Sequence, residues 1–206
     1  KEYRAHGIPM ILSNVTYEMY RAAALLDPGF CAELKKRLEG YTEDILKHFA
    51  DKNDVIHEVI TAENQSVDGL LGQHANPGHT LEDMWFMMDA ADLLGRKEWI
   101  PQIARIAKKA LEIGWDPEYG GILHYAAVTG GIPSGKKKKP EEPTERQVEA
   151  GWGDKLWWVH AEALYTTLLC YERTGDKEFW SWHEKVFEYT FSTFPNRDEQ
   201  VREWIQ

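Results

Sequence analysis

The stretch Asn76-Pro77-Gly78-His79-Thr80-Leu81-Glu82, running into Met84-Trp85-Phe86-Met87-Met88-Asp89-Ala90-Ala91-Asp92-Leu93-Leu94, decides how the chain is read. Asn-Pro and Pro-Gly are turn dipeptides, and the apolar run after them has the length of a helix rather than a strand. The spacing predicts a helix over 79–94, stopped by Gly95. His79 falls in its first turn, where free backbone N–H groups and the positive end of the macrodipole oppose protonation of an imidazole. A ring held neutral can accept a proton. Glu82 lies three residues on, on the same side of the helix, placed to fix the ring's tautomer or to hold a substrate hydroxyl.

Working outward, the pattern is more helices. Residues 9–26 begin with Pro at a tolerated first-turn position and repeat apolar residues every three or four. Asp27-Pro28-Gly29 breaks that helix and a second covers 30–49, so the short linker makes the two antiparallel neighbours. A polar turn at 51–54 leads to a β-branched extended segment at 55–61. The Asn-, Asp-, Gln- and Gly-rich stretch 62–78 reads as a long loop, and long loops in compact domains are often functional. A fourth helix over 98–113 ends at Gly114, and 122–128 alternates weakly as a second short strand. Asp154 is placed to cap a fifth helix over 155–174, and Gly175-Asp176 ends it and caps a sixth over 177–194. Residues 201–206 are amphipathic. Six helices in this rhythm form an array of αα hairpins.

Residues 129–152 break the rhythm with Gly-Gly-Ile-Pro-Ser-Gly, four lysines at 136–139 and Pro-Glu-Glu-Pro. That composition predicts a flexible surface loop that buries little, its lysines a solvated tip rather than an anion site.

A length of 206 residues suits one domain or a large part of one, and 43% hydrophobic with 12% aromatic content supplies a sizeable core. The balance of 24 basic against 34 acidic residues argues against a nucleic-acid surface, which needs a positive footprint. No run is long enough for a membrane span and the first residues lack a signal-peptide pattern. Cys31 and Cys170 have no metal-ligand spacing and read as reduced thiols of a cytoplasmic protein. His79 and Glu82 alone are too few ligands for a metal. Nine tryptophans are many, and flat rings with a polar edge suit sugars. Most of the nine fill helix interfaces on this reading; Trp157 and Trp158 are the ones assigned to substrate.

Two further blocks, Gly114-Trp115-Asp116-Pro117-Glu118-Tyr119-Gly120-Gly121 and Lys155-Leu156-Trp157-Trp158-Val159-His160-Ala161-Glu162-Ala163-Leu164, join the first. In this order and at this spacing the three resemble the N-acylglucosamine 2-epimerase family of sugar epimerases and isomerases, from about Ile8 to Trp204. The resemblance implies an all-α catalytic domain, an (α/α)6 barrel of twelve helices with short β segments in its loops. Residues 1–206 would be about half of that single domain, completed by chain before Lys1 and after Gln206. His79 matches the family's catalytic histidine. The second catalytic histidine is expected beyond the block containing Glu203-Trp204, and a sugar-binding arginine upstream of Lys1. Glu58 resembles a polar position facing the cavity, and His160 and Glu162, beside the tryptophan pair, are candidates for touching substrate. His6, His48, His57, His74, His124 and His183 receive no role. The family implies no required cofactor, ATP as an allosteric effector and a homodimer; no phosphate-binding loop is visible.

Inverting a sugar carbon next to a carbonyl requires ring opening, removal of the C2 proton to give an enediolate, and return of a proton to the opposite face. Two bases titrating near neutrality do this, whereas an aldose–ketose isomerase can work with one. The first reading is therefore an epimerase interconverting N-acyl-D-glucosamine and N-acyl-D-mannosamine. The second is an epimerase or isomerase of unsubstituted sugars such as mannose or cellobiose. Those branches place a histidine in the helix equivalent to 9–26, where this chain has Met10 and Ile11, which favours the N-acyl sugar. A third, of another class, is a noncatalytic glycan-binding α/α module.

Overall fold

The computed structural model describes residues 2–138, 143–198 and 203–204. In chain order the elements are β1 (Tyr3–Ala5), α1 (Gly7–Leu26), α2 (Cys31–Asp44), β2 (Val59–Thr61), α3 (Leu70–Gln73), β3 (His74–Ala75), α4 (Pro77–Leu94), α5 (Ile100–Gly114), β4 (Ala126–Ala127), α6 (Pro143–Gly151), α7 (Trp157–Thr174) and α8 (Lys177–Thr193). α1, α4 and α7 stand side by side as one row, with α2, α5 and α8 packed behind them as the second partners of three hairpins. This is the two-row arrangement of an (α/α)6 barrel, present over half its length.

The reversals have local causes. Gly95 and Gly175 take left-handed φ angles of 71° and 70°, which end α4 and α7 at little steric cost, and each donates its N–H back to the last helical turn. Asp176 caps α8 by accepting the N–H of Glu178 at 3.0 Å. α4 is the middle of the inner row, and Leu81, Met84, Met87, Met88, Ala90 and Ala91 are all buried. Each such Leu or Met contributes about 1.5–3 kcal/mol by leaving water. The face that stays half-exposed carries His79, Glu82, Trp85 and Asp89, spaced so that they form one line along the helix. Exposed apolar side chains run along the far row ends, Ile8, Ile11, Val15 and Met19 on α1 and Trp180, Phe187 and Phe191 on α8.

Several expected boundaries move. α4 begins at Pro77, not His79, because Asn76 is its cap and Pro77 occupies the first position, where a missing N–H costs nothing. The second helix widens at its end into a π-turn over Ile45–Phe49. Asp154 does not cap α7; extended Leu156 precedes it without a side-chain cap, and the Asp154 carbonyl accepts the N–H of His124 instead. The loop 62–78 contains α3 and β3, with Val67, Leu70 and Leu71 buried, and β3 pairs antiparallel with β4.

The stretch 129–152 is not structureless either. α6 lies inside it, and Val148 packs with Leu70, Tyr125 and Trp152 in a small second core. Glu145 is buried and accepts the N–H of Lys138 at 3.0 and 3.1 Å, folding the basic tip back. Lys137 and Lys138 pair with Glu149 and Glu2. Residues 139–142, and all of 201–206 except Glu203 and Trp204, lie outside the described residues.

Candidate active site

The site is assembled by a two-stranded ladder meeting the start of α4. β1 and β2 pair with Ala5 opposite Val59, and one rung further the N–H of His6 donates to the carbonyl of Glu58 at 2.9 Å. The register therefore sets His6 and Glu58 side by side. On α4, Asn76 Oδ1 accepts the N–H of His79 at 3.1 Å, which fixes the first turn and with it the direction of the His79 ring.

The four groups then touch in sequence. His79 Nδ1 lies 3.1 Å from Glu58 Oε2. The other oxygen, Glu58 Oε1, is 3.4 Å from His6 Nδ1, an ion-pair contact rather than an aligned hydrogen bond. His6 Nε2 lies 2.8 Å from Asp83 Oδ2. His6 and Asp83 are both 0% exposed, Glu58 is 12% exposed at its side chain and His79 36%. Only His79 opens outward.

The protonation of these groups follows from that packing. Burial would push the His6 imidazole down, but the bonds and charges of Asp83 and Glu58 overturn it and hold it up at about 10. Burial would push the Glu58 carboxyl up, and His6 and His79 together hold it well below the usual carboxylate range. Asp83 goes the other way: burial raises it against the bond to His6, and its Oδ1 has no partner. For His79, burial lowers and the bond and charge of Glu58 raise, and the net is raised. The expectation that the helix start keeps this ring neutral is thus corrected. A full carboxylate at 3.1 Å outweighs the roughly half-charge of a helix end.

The ring's partner is also Glu58, not Glu82. With Glu58 ionised, Nδ1 carries the proton and Nε2 keeps its lone pair. Glu82 sits one turn along the same line, its carboxyl pushed up by burial and by the nearby charge of Glu162. Glu162 accepts the indole N–H of Trp85 at 2.6 Å, so α7 and α4 together fix that carboxylate. A carboxyl that keeps its proton more readily can donate a hydrogen bond to an oxygen acceptor.

Trp158 belongs to the same place. Its ring centroid is 5.9 Å from that of His79, and it lies against Gly78, where an added Cβ would come within 2.8 Å of the indole and 2.6 Å of Val159. Glycine at 78 is what lets α7 approach α4 here. Trp157, one residue earlier and so about 100° round the helix, does not join it. It is 40% exposed, stands edge-on to Trp204, and lines a separate cavity of about 440 Å³ with Ala161 and Glu203.

His160 is likewise corrected to a structural role. It is fully buried, its Nδ1 donates to the Leu156 carbonyl at 2.8 Å, and its Nε2 accepts the N–H of Ile122 at 2.9 Å. Burial lowers it to about 4, so the ring is neutral and both nitrogens are satisfied. It ties the Gly114–Gly121 block to α7 and offers nothing to a substrate.

Sequence reasoning missed His6, Asp83 and Trp85. His6 and Asp83 are 77 positions apart with no shared local motif, and only the packing of the α1 end against α4 brings them together. For Trp85 a signal existed, since it falls on the same helical line as His79 and Glu82. Among the described residues no three His, Cys, Asp or Glu side chains form a metal-binding group.

The fold and the line of groups on α4 define an α/α-barrel protein with a carboxylate-backed histidine at the start of its middle inner helix. Residues 21–206 match the N-acylglucosamine 2-epimerase (GlcNAc 2-epimerase) family, and the chain belongs to it. It is 32% identical over 200 residues to N-acylglucosamine 2-epimerase of Bos taurus, covering 97% of this chain and 43% of that protein. With the enzyme of the same name from Mus musculus it shares 35% identity over 162 residues, 78% of this chain and 35% of the relative. The chain thus spans less than half the length of the curated relatives it matches. In structure it is similar to a crystal structure of D-mannose isomerase, with a TM-score of 0.75 at 17% identity, over 100% of this chain and 48% of the other.

Proposed function

We propose that the whole protein is a sugar 2-epimerase that interconverts N-acyl-D-glucosamine and N-acyl-D-mannosamine, with His79 as one of its two bases. The observation that carries this is the orientation of His79: Nδ1 engaged by Glu58 inside, and Nε2 on the half-exposed line of α4 beside the face of Trp158. In the opened sugar, Nε2 removes the C2 proton. The imidazolium that forms is balanced by Glu58, and the negative charge moves onto the C1 oxygen of the enolate. Trp158 offers its face to the sugar's C–H groups. Glu82 and Glu162 hold sugar oxygens, and Trp85 orients Glu162. A second base, on the opposite face, returns the proton.

The N-acyl sugar is favoured by the names of the two mammalian relatives and by Met10 and Ile11 in α1. The same reading takes the reaction to need no cofactor, with ATP as an effector and a homodimer as the assembly. A cytoplasmic location fits the free thiols of Cys31 and Cys170, and no described helix is long and apolar enough to cross a membrane. The test offers the whole protein N-acetylmannosamine and mannose separately and separates the products by ion chromatography. N-acetylglucosamine from the first supports the proposal. Fructose from mannose, with the N-acyl sugar untouched, replaces it with the isomerase; no product from either points to the binding module.

A further inference from the structure

The line Asp83–His6–Glu58–His79 places two groups where no substrate can reach them. His6 and Asp83 are fully buried, so anything they contribute to the reaction passes through Glu58. We propose that His6 and Asp83 are positioning residues that clamp the Glu58 carboxylate so that His79 keeps its proton on Nδ1 and its lone pair on Nε2. This rests on His79 being a base and adds what keeps it one.

The argument starts from what Glu58 must do through a cycle. His79 alternates between neutral and charged forms. Whenever it is neutral, Glu58 would be a nearly buried anion without a cation, an arrangement costing several kcal/mol before relaxation. Such a carboxylate relieves the cost by taking a proton. The nearest is the Nδ1 proton of His79, 3.1 Å away. If Glu58 took it from the charged ring, which carries protons on both nitrogens, the histidine would be left as the neutral Nε2–H tautomer and the carboxyl would keep the proton, so that a donor faces the substrate and no lone pair is there to accept the next C2 proton. A permanent second cation beside Glu58 prevents this.

His6 supplies that cation. Its Nδ1 is 3.4 Å from Glu58 Oε1, and its backbone N–H bonds the Glu58 carbonyl, so ring and backbone hold the residue together. A fully buried imidazole ordinarily sheds its proton. Asp83, 2.8 Å from Nε2, is what keeps it. The titratable groups around the centre are then Glu58 from the segment before β2, Glu82 and Asp83 from α4, and His124 and Tyr125 from the segment before β4. Among the described residues, no group of this set other than the two histidines His6 and His79 offers Glu58 a positive charge, since burial lowers His124. The orphaned Oδ1 of Asp83 marks the cost of the device, a buried carboxylate kept for a single bond.

The test has a spectroscopic and a kinetic arm, both on the whole protein. In ¹⁵N-histidine spectra of the wild type at about pH 8, above the ordinary histidine pKa, His6 gives the doubly protonated pattern and His79 the Nδ1–H tautomer. A neutral His6, or His79 as the Nε2–H tautomer, overturns the proposal without any variant being made. In the second arm Asp83→Asn and His6→Gln each lower kcat about 10- to 100-fold, as expected when a residue that orients a reacting group is lost, with KM within about two-fold. In both, His79 moves toward the Nε2–H tautomer. Variants that are folded and turn over at the wild-type rate overturn it too. Where a variant does not fold, the wild-type spectrum decides. Failure of the wild type to invert C2 of any sugar offered sinks the catalytic reading of His79, and the tautomer spectrum still decides the clamp.

Discussion

Replacing Glu58 by glutamine isolates the charge behind the base. Glutamine keeps the shape, and its Oε1 can still accept the Nδ1–H of His79, so the tautomer survives while the negative charge is lost. In the wild type the two groups are 3.1 Å apart at their nearest atoms. Charge centres about 4 Å apart attract by about 4 kcal/mol at an effective dielectric of about 20. The His79 side chain is 36% exposed, so solvent screening roughly halves this to about 2 kcal/mol. Lost from the step in which the ring becomes charged, about 2 kcal/mol is about 30-fold in rate. The assay follows N-acetylmannosamine conversion across about pH 5 to 9, the range in which a histidine base titrates. Glu58→Gln should lower kcat about 30-fold with little change in KM, and move the acid limb of kcat/KM to lower pH, because Glu58 is what raises His79. An unchanged kcat, or an acid limb that moves to higher pH, would refute the assignment.

Other consequences are equally measurable. Gly78→Ala forces a Cβ to within 2.6 Å of Val159 and 2.8 Å of Trp158, so thermal melts should show a loss of about 1–3 kcal/mol with a raised KM as the indole is displaced. His160 is held at about 4 against an ordinary 6.5, so the unfolded chain binds more protons between those values. Urea melts should therefore lose up to about 3 kcal/mol as pH falls from about 6.5 to 4, a slope that His160→Gln flattens. His6 acts on the other side. Raised to about 10, it contributes stability below about pH 6.5 that is lost as pH rises toward 10, and His6→Gln should remove that alkaline loss. Asp176→Ala removes the cap bond to Glu178 and should cost about 1 kcal/mol with turnover unchanged, since it lies at the α7–α8 reversal.

The helical rows were legible because their signals are local. The 3.6-residue recurrence, Gly95 and Gly175 as stops, and Asp176 as a cap each act within one turn, and each holds in the structure. That His79 and Glu82 share one face of a helix was legible for the same reason. What the sequence hid was long-range. His6 became the neighbour of Glu58 through the rung beyond the β1–β2 ladder, and Glu58 the partner of His79 through the packing of that ladder against α4, neither of which leaves a local pattern. Trp157 and Trp158 look equivalent as neighbours, but one step of a helix sends them to different surfaces. His160 looked like a site residue because it accompanies the tryptophans. Its two backbone bonds show that proximity in sequence to a site can equally mean holding its wall in place.

The most direct measurement is solvent deuterium incorporation at C2 of N-acetylmannosamine and its epimer, followed by NMR in heavy water for the whole protein and for His79→Asn. The account predicts label at C2 with the wild type. With His79→Asn it predicts loss of turnover while the sugar still binds. Epimerisation without label, or a His79→Asn protein that exchanges and epimerises like the wild type, would contradict it.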